Sequence, residues 1–232
     1  MCGAPYFNEA MRQVDPETEV IWHVNEGDQV AAQTKLCTIT GAARSLLTAE
    51  RVSLNFLQTL SSTATVTRRH VDAIAGTRAR VVDTRKTVPG LRLAQKYAVR
   101  VGGGANHRIG LFDGILIKEN HIMAAGGIAP AMAAARAQAQ RGTMIQIEVE
   151  TLAQLEEALA AGATLILLDN FTPERMAEAV RVSAGRAELE ASGGIDLETI
   201  RSYAETGVDR ISVGTLTKDI RAIDLSMRFQ KG

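Results

Sequence analysis

The sequence predicts an α/β protein in which parallel strands form either an incomplete β/α barrel or a doubly wound sheet. From residue 79 onward, short apolar and β-branched segments alternate six times with helical patterns, which is typical of parallel strands joined by helical crossovers. Glycines stand where several of these helices should end. A complete barrel needs more strands than the pattern offers, so we expect an open sheet that binds ligands at the carboxyl ends of its strands.

The region ahead of this repeat is predicted to hold short strands and one long helix. Alternating apolar residues from Val20 to Val24, interrupted by the turn Glu26-Gly27-Asp28, predict strands over residues 19–40. Residues 42–75 carry apolar side chains at helical spacing and therefore predict a helix.

Each strand and helix of the repeat has its own signal. The strands are expected to end near Thr84, Lys118, Glu150, Asn170, Ser192 and Gly214. Helices are expected after Pro89 and from Pro130, Leu152, Pro173 and Asp196, because proline or a threonine or aspartate cap marks several of these starts. Helix ends are expected at Gly142, Gly162, Gly185 and Gly207.

Composition excludes several classes of protein. The 232 residues hold only two cysteines, Cys2 and Cys37, which excludes a disulfide-dense scaffold and a cysteine-rich zinc module. Aromatic residues make up 4% of the chain, too few for a platform that stacks single-stranded nucleic acid. No apolar stretch suits a membrane helix and the N-terminus does not resemble a signal peptide. We therefore expect a cytoplasmic protein with neither a membrane nor a nucleic acid as partner.

The charges of this neutral chain are concentrated in one window. Residues 68–108 hold ten basic and two acidic residues, although the 26 basic and 26 acidic residues of the whole chain balance. A local basic excess favours a small anionic ligand or a nucleic-acid patch, and a solvated helical face is the plain alternative.

Polar residues follow every predicted strand of the repeat. The first two strand ends carry cations, the middle two carry carboxylates, and the last two carry glycine turns. These residues are Arg85, Lys86 and Lys118, then Glu148, Glu150 and Asp169, then Ser192-Gly193-Gly194 and Ser212-Val213-Gly214. Two further cations, His107 and Arg108, lie in the glycine-rich loop that leads into the second strand. Because the carboxyl ends of parallel strands meet at one edge of a sheet, we expect them to form one site.

Their chemistry favours a phosphorylated, anionic ligand. Glycine turns on two neighbouring strands are the usual phosphate site of barrels, although each could be a plain tight turn. Glu148, Glu150 and Asp169 could hold Mg²⁺ or ribose hydroxyls, or could pair with nearby cations. A glycosidase carboxylate pair is disfavoured because neutral sugars do not require a cationic cluster. The loop Gly102-Gly103-Gly104 lacks the Gly-Lys-Ser/Thr ending of a nucleoside triphosphatase.

One segment makes the interpretation specific. Residues 83–122 read DTRKTVPGLRLAQKYAVRVGGGANHRIGLFDGILIKENHI and closely resemble the quinolinate phosphoribosyltransferase family. The similarity continues through NFLQTLSSTAT, EVE, LLDNF, ASGGI, ETGVDRISVGTLTK and DLSMRF, and so covers nearly the whole chain. It implies an enzyme of NAD biosynthesis that transfers the phosphoribosyl group of phosphoribosyl pyrophosphate, with Mg²⁺, to quinolinate and releases pyrophosphate and CO₂.

The resemblance also implies the architecture. The family fold is an incomplete, open seven-stranded β/α barrel packed beside an α/β sandwich domain, in a homodimer with a shared active site. Residues 1–62 would form the sandwich domain, with residues 218–232 packing back on it, and residues 63–217 would form the barrel. Family members carry a longer segment ahead of the position of Met1, so the sandwich domain is expected to be N-terminally truncated.

By the same resemblance, five cationic residues would bind quinolinate. Arg85, His107, Arg108 and Lys118 would hold its carboxylates, and Arg51 would reach the same pocket from the neighbouring subunit. A site rich in fixed cations suits this substrate because quinolinate is a dicarboxylate.

The remaining site residues would bind phosphoribosyl pyrophosphate. Lys86 would face the pyrophosphate or ribose, and Glu148 and Asp169 would bind ribose hydroxyls or Mg²⁺. Ser192-Gly193-Gly194 and Val213-Gly214 would take the 5′-phosphate. The expected catalytic residues are Lys86, Lys118, Glu148 and Asp169.

Other functions remain open to the sequence. A molybdenum-associated relative shares the RKT, GGG and HR elements but lacks the Lys-Glu-Asn-His form found at residues 118–121. A barrel that binds anions without turnover is the second alternative, if truncation abolishes activity. A nucleic-acid binder is the third, and it would show affinity that falls steeply with salt.

Overall fold

The computed structural model describes residues 1–230, and its first part combines two helices with a two-stranded sheet. These elements are α1 (Ala4–Val14), β1 (Glu19–Trp22), β2 (Cys37–Thr40) and α2 (Ala43–Ala73). The antiparallel pairing of β1 with β2 and the single long helix α2 confirm the sequence prediction for this region.

Helix α1 is not predicted by the sequence pattern, and its start shows why. The backbone N–H groups of Gly3 and Ala4 donate to Glu26 Oε1 at 2.8 and 2.6 Å. A carboxylate at a helix start is favourable, but this one comes from a distant loop and not from a local cap. The apolar face of α1, with Phe7 and Met11, packs on α2 and on Trp22.

The second part is a six-stranded parallel sheet. Its strands are β3 (Arg80–Val82), β4 (Gly114–Ile117), β5 (Met144–Val149), β6 (Leu165–Asp169), β7 (Glu188–Ser192) and β8 (Arg210–Ser212). Their spatial order is β3-β8-β7-β6-β5-β4, with every neighbouring pair parallel. Strands β4 to β8 lie side by side in chain order, and β3 pairs with the far side of β8. This is the order of a barrel left open between β3 and β4. The predicted open barrel is confirmed.

The expected seventh strand is reduced to a single bridge. Ala105 pairs with Val82 in parallel fashion on the free edge of β3, through Ala105 N–H to Val81 O at 2.8 Å and Asp83 N–H to Ala105 O at 3.1 Å. The preceding Gly102 to Gly104 pack against α2, where an added Cβ at Gly102 would stand 2.5 Å from the Ala64 carbonyl. Glycines favour this tight approach and disfavour a longer strand.

Helices cover the outside of the sheet. They are α3 (Arg92–Val101), α4 (Glu119–Ala125), α5 (Ile128–Gln138), α6 (Leu152–Ala160), α7 (Pro173–Ser183), α8 (Ile200–Ala204) and α9 (Thr215–Lys218). The Thr151 and Thr172 side chains cap α6 and α7, as predicted. Within the described chain, no helix combines the length and the apolar character that a membrane span requires.

One helix start is predicted wrongly. The sequence places it at Asp196, but α8 begins at Ile200. The Asp196 carboxylate instead accepts hydrogen bonds from the backbone of Glu198 and Thr199 and from the Thr199 hydroxyl. This local turn competes with the first helical turn.

The two faces of the parallel sheet differ in polarity. Side chains alternate between faces along each strand. Outward residues such as Ile147, Ile166 and Leu189 join the main apolar cluster with the helices. The inward positions of β5 and β7 hold Gln146 and Glu190 instead, and both are fully buried. The barrel interior therefore holds buried polar groups on β5 and β7, beside apolar side chains of β6 such as Leu167.

The chain after α9 returns to the N-terminal part. Ile223 N–H donates to Gln58 O at 3.3 Å, and Ser62 Oγ donates to Arg221 O at 2.6 Å. Leu225 and Met227 pack on the apolar cluster of α1 and α2. The expectation that residues 218–232 pack here also covers 231–232, which lie outside the described residues.

Candidate functional site

A lysine–carboxylate pair links the ends of β4 and β5. Lys118 Nζ lies 3.0 Å from Oε1 and 2.7 Å from Oε2 of Glu148. Strand β4 ends directly before Lys118, and α4 starts directly after it, so this side chain is placed at the rim. The Lys118 side chain is 45% exposed and that of Glu148 is 9% exposed, so the lysine can turn toward a ligand while the carboxylate stays.

Two further carboxylates lie close enough to Glu148 to affect its pKa. Burial raises the pKa of Glu148, Lys118 opposes that shift, and the nearby carboxylates Asp169 and Glu119 add to it. Asp169 ends β6 and accepts a hydrogen bond from Asn170 Nδ2 at 2.8 Å. The rim of β5 and β6 is therefore suited to a cation or to sugar hydroxyls.

Two neighbouring arginines of the candidate site, Arg85 and Arg108, have no ion-pair partner among the described residues. Arg108 is 9% exposed and its Nη1 donates to Gly114 O at 2.8 Å. Burial lowers the pKa of Arg108, and the neighbouring positive charge of Arg85 lowers it further, against a smaller effect of Asp113. Neither arginine forms an ion pair with any residue between 1 and 230. A desolvated Arg108 beside the exposed, like-charged Arg85 is suited to bind an anion.

His107 supports Arg108 from behind. Its Nδ1 accepts the Arg108 backbone N–H at 2.7 Å, and its Nε2 lies 2.7 Å from Gln146 Oε1. Both ring nitrogens are thus used inside the chain. In this arrangement the imidazole has no free N–H to offer a ligand. The direct carboxylate contact predicted for His107 stays a prediction, and it would require His107 Nε2 to leave Gln146.

A buried ion pair that the sequence analysis did not single out fixes the same loop. The Lys96 ammonium binds the Asp83 carboxylate and donates to His107 O at 2.8 Å. Asp83 also accepts from Asn106 Nδ2 at 2.6 Å and from the His107 backbone N–H at 2.9 Å. Burial raises the pKa of Asp83, and these donors oppose the shift. The loop that carries Arg108 is therefore clamped by its backbone.

The carboxyl ends of the parallel strands form a ring, and the glycine turns belong to it at the ends of β7 and β8. Gly193 has a φ of 113° and lies so close to Asn170 that a Cβ would stand 2.3 Å from its Oδ1. Gly194 has a φ of 59° and open space beside it. The turn after Ser192 does not open a helix, because α8 begins only at Ile200. The turn itself is therefore what could approach a phosphate.

The last strand end contacts the first. A Cβ at Gly214 would lie 3.4 Å from Lys86 Cδ, and Thr217 Oγ1 donates to Lys86 O at 2.8 Å. Val213 N–H donates to Val82 O at 2.9 Å, and the Val213 side chain lies in the outer apolar cluster. Of the predicted pair Val213-Gly214, Gly214 is the residue that lies beside the cationic Lys86.

Within the described residues, no contact of Arg51 brings it to the ring of strand ends. It is exposed on α2. Across the described residues it takes part in neither an ion pair nor a side-chain hydrogen bond, including with Glu50 and Gln58. Its predicted contribution to a neighbouring subunit's site stays a prediction.

Comparisons with known proteins show which family this chain is similar to. The family model "Quinolinate phosphoribosyl transferase, N-terminal domain" matches residues 1–61, and the corresponding C-terminal domain matches residues 63–228. The chain is 43% identical over 225 residues to a probable nicotinate-nucleotide pyrophosphorylase [carboxylating] of Bacillus subtilis, covering 97% of this chain and 78% of the relative.

Two further relatives carry the same name. The nicotinate-nucleotide pyrophosphorylase [carboxylating] of Mycobacterium leprae is 47% identical over 211 residues, with 90% of this chain and 74% of the relative covered. The solved nicotinate-nucleotide pyrophosphorylase from Francisella tularensis superposes with a TM-score of 0.93 at 49% identity, over 97% of this chain and 80% of that one.

Proposed function

The chain belongs to the quinolinate phosphoribosyltransferase family, and we propose that the ring of strand ends is its active site. The protein is a pentosyltransferase of NAD biosynthesis, which joins the phosphoribosyl group to quinolinate with loss of CO₂ and gives nicotinate mononucleotide. Relatives at 43–47% identity carry this activity in their names, so the molybdenum-associated, non-catalytic and nucleic-acid alternatives are set aside.

One observation carries the assignment of the site. Arg108 is desolvated beside Arg85, and neither has an ion-pair partner in residues 1–230. A bound dicarboxylate would relieve this repulsion and satisfy both guanidinium forks. We assign the quinolinate carboxylates to Arg85, Arg108 and Lys118, with Lys118 turning from Glu148 toward the ligand.

The chemistry requires positioning and charge stabilisation. The pyridine nitrogen of quinolinate attacks C1 of the ribose with its own lone pair, so no general base is needed. The new C–N bond forms as the C1–O bond to pyrophosphate breaks. The C2–carboxylate bond then breaks to release CO₂, and its electron pair at C2 takes up a proton. Fixed cations around the two substrates supply most of the catalysis in such a reaction.

Phosphoribosyl pyrophosphate is assigned to the other half of the ring. Lys86, beside Gly214, would face the pyrophosphate, and the turn at Gly193 and Gly194 would approach the 5′-phosphate. The carboxylates of Glu148 and Asp169 fit Mg²⁺, which takes one or two carboxylates together with substrate phosphates. When bound, Mg²⁺ would neutralise the leaving pyrophosphate.

Product analysis tests this proposal. The purified protein is incubated with quinolinate, phosphoribosyl pyrophosphate and Mg²⁺, and pyrophosphate, CO₂ and nicotinate mononucleotide are measured. We expect the three products in equal amounts, and none when Mg²⁺ is chelated. Turnover that survives in Lys118→Met and Glu148→Gln variants would place the active site elsewhere.

We further propose that the enzyme is a homodimer in which Arg51 acts in the partner's pocket. A two-fold interface gives both sites the same donated residue. The exposure of Arg51, and its lack of an ion pair in residues 1–230, support this role.

Complementation between inactive variants tests the shared site. Arg51→Ala and Lys118→Ala chains are each expected to be inactive alone. After subunit exchange, one of the two pockets of a mixed dimer holds both residues, so activity returns. A mixture that stays inactive, although exchange is verified with tagged chains, would show that Arg51 does not act across the interface.

A further inference from the structure

A buried row of polar side chains runs from the barrel interior to Arg108. His107 Nε2 lies 2.7 Å from Gln146 Oε1, and Gln146 Nε2 lies 3.0 Å from Glu190 Oε2. Gln146 and Glu190 are fully buried and His107 is 9% exposed. The row ends at the Arg108 backbone N–H, which lies 2.7 Å from His107 Nδ1.

The donors and acceptors of this row fix one tautomer. The Arg108 N–H can only donate, so His107 Nδ1 must accept and carries no proton. The proton of the neutral ring is then on Nε2, which donates to Gln146 Oε1. This turns the Gln146 amide nitrogen toward Glu190, whose carboxylate accepts from it. Each group thus determines the orientation of the next.

A purely structural role explains this row poorly. His107 Nε2 is 3.8 Å from Glu190 Oε1, and Gln146 bonds to both residues. Glu190 Oε1 has no hydrogen-bond partner within residues 1–230. A buried carboxylate with an unsatisfied oxygen is unfavourable, and apolar residues of similar volume often stabilise such a position better.

We propose that Gln146 and Glu190 are positioning residues for the dicarboxylate pocket. Glu190 orients Gln146, and Gln146 accepts the Nε2 proton of the tautomer that the Arg108 N–H requires. The imidazole is thereby held in place, and its Nδ1 holds the backbone from which the Arg108 guanidinium extends. The inference rests on the proposed function, because quinolinate is the ligand assigned to Arg108.

The row should affect one substrate and not the other. It reaches only the loop of Arg108. The phosphate side is held by separate hydrogen bonds. Gln95 Nε2 donates to the backbone carbonyl of Thr217 at 2.8 Å, and the Thr217 hydroxyl donates to Lys86 O at 2.8 Å. Loss of the row therefore weakens quinolinate binding and leaves phosphoribosyl pyrophosphate binding intact.

Equilibrium titrations of each substrate test this selectivity. Gln146→Leu is expected to raise the Kd of quinolinate about ten-fold or more, because a buried donor loses its acceptor. The Kd of phosphoribosyl pyrophosphate with Mg²⁺ is expected to change by less than about three-fold. Ser183→Ala, at a buried hydroxyl on α7 that bonds only Ala187 O, is the matched control and should change neither. Equal weakening of both substrates would overturn the proposal.

A swapped variant separates positioning from folding. In Gln146→Glu/Glu190→Gln the carboxylate accepts from His107 and the new amide donates to it, so the row is rebuilt. We expect this double variant to restore the quinolinate Kd to within about three-fold of wild type. A swapped variant that folds, by circular dichroism, but binds quinolinate no better than Gln146→Leu would overturn the proposal.

The tautomer itself is measured by ¹⁵N NMR of the imidazole rings in the wild-type protein. We expect the His107 proton on Nε2, and a His107 ring protonated on Nδ1 would contradict the proposal even if Gln146→Leu does not fold. This readout needs no turnover, so it stays separate from failure of the proposed function, which would appear as absence of nicotinate mononucleotide from wild-type enzyme.

Discussion

On the outer face of the parallel sheet, residues such as Ile147 and Leu168 pack against helices in one continuous apolar cluster. On the inner face of the same strands, Gln146, Glu148 and Glu190 are equally shielded from water but carry polar or charged groups. The interiors of β/α barrels are usually filled with bulky branched apolar residues. The outer face of this sheet follows the rule for a stable core, and the inner face departs from it.

The difference assigns separate roles to the two faces. Burial of apolar side chains is the main source of folding free energy, and the outer face supplies it. Buried polar groups weaken a fold unless they are fully paired, so their concentration inside the barrel indicates a site. Substitutions on the outer face should lower the free energy of unfolding, and those on the inner face should lower activity.

The largest expected effect concerns the buried charge pair of Lys96 with Asp83. Lys96→Met leaves Asp83 buried without its ammonium partner and removes a donor from His107 O. We expect a loss of about 3–5 kcal/mol in the free energy of unfolding, measured by urea denaturation. Arg12→Ala, which breaks an exposed pair with Glu9, should change the free energy of unfolding far less, because water screens that pair. Equal losses would show that burial of the Lys96 pair is energetically unimportant.

The next effect is on ligand binding at the inner rim. Arg108→Ala should weaken quinolinate binding by about 2–5 kcal/mol, because one partner of a desolvated charge pair is lost. The affinity for phosphoribosyl pyrophosphate should change much less. Arg100→Ala, an exposed arginine at the end of α3, serves as control. If Arg108→Ala weakened both substrates alike, the carboxylate assignment would fail.

The smallest expected effect is a difference between two substrates of the wild-type enzyme. Nicotinate lacks the 2-carboxylate, so it leaves part of the cationic group of Arg85, Arg108 and Lys118 unpaired. We expect kcat/KM for nicotinate to lie below that for quinolinate by about 1–3 kcal/mol in transition-state free energy. Comparable values for the two acids would show that the pocket does not distinguish a dicarboxylate from a monocarboxylate.

The sequence predicts the outer face well and the inner face in part. Apolar periodicity locates strands β3 to β8 and most helices, because helix packing on a sheet requires that pattern. It misses α1, whose start depends on Glu26 from a distant loop. It also extends one helix back to Asp196, because a side-chain cap and an Asx turn share the same signal.

Prediction of the site residues from the sequence is limited in the same way. Rim residues such as Lys118 and Glu148 are predicted because strand ends mark them. The interior residues Gln146 and Glu190 are not predicted, although Gln146 stands two positions before Glu148 on the same face. A polar residue inside a strand looks like a solvent-facing one until the closing of the barrel buries it. Contacts between distant strands, such as that of Gln146 with His107, have no local signal.

Two neighbouring residues of β6 give the most direct test of the division between the faces. Leu168 is fully buried toward the helices, and Asp169 lies at the rim of the site. The free energy of unfolding and kcat/KM are measured for Leu168→Ala and for Asp169→Asn. We expect Leu168→Ala to lose about 2–5 kcal/mol of stability with kcat/KM of the folded enzyme unchanged. We expect Asp169→Asn to keep its stability and lose at least about ten-fold in kcat/KM. If both variants lost mainly stability, or both mainly activity, the division of the sheet into a folding face and a catalytic face would be contradicted.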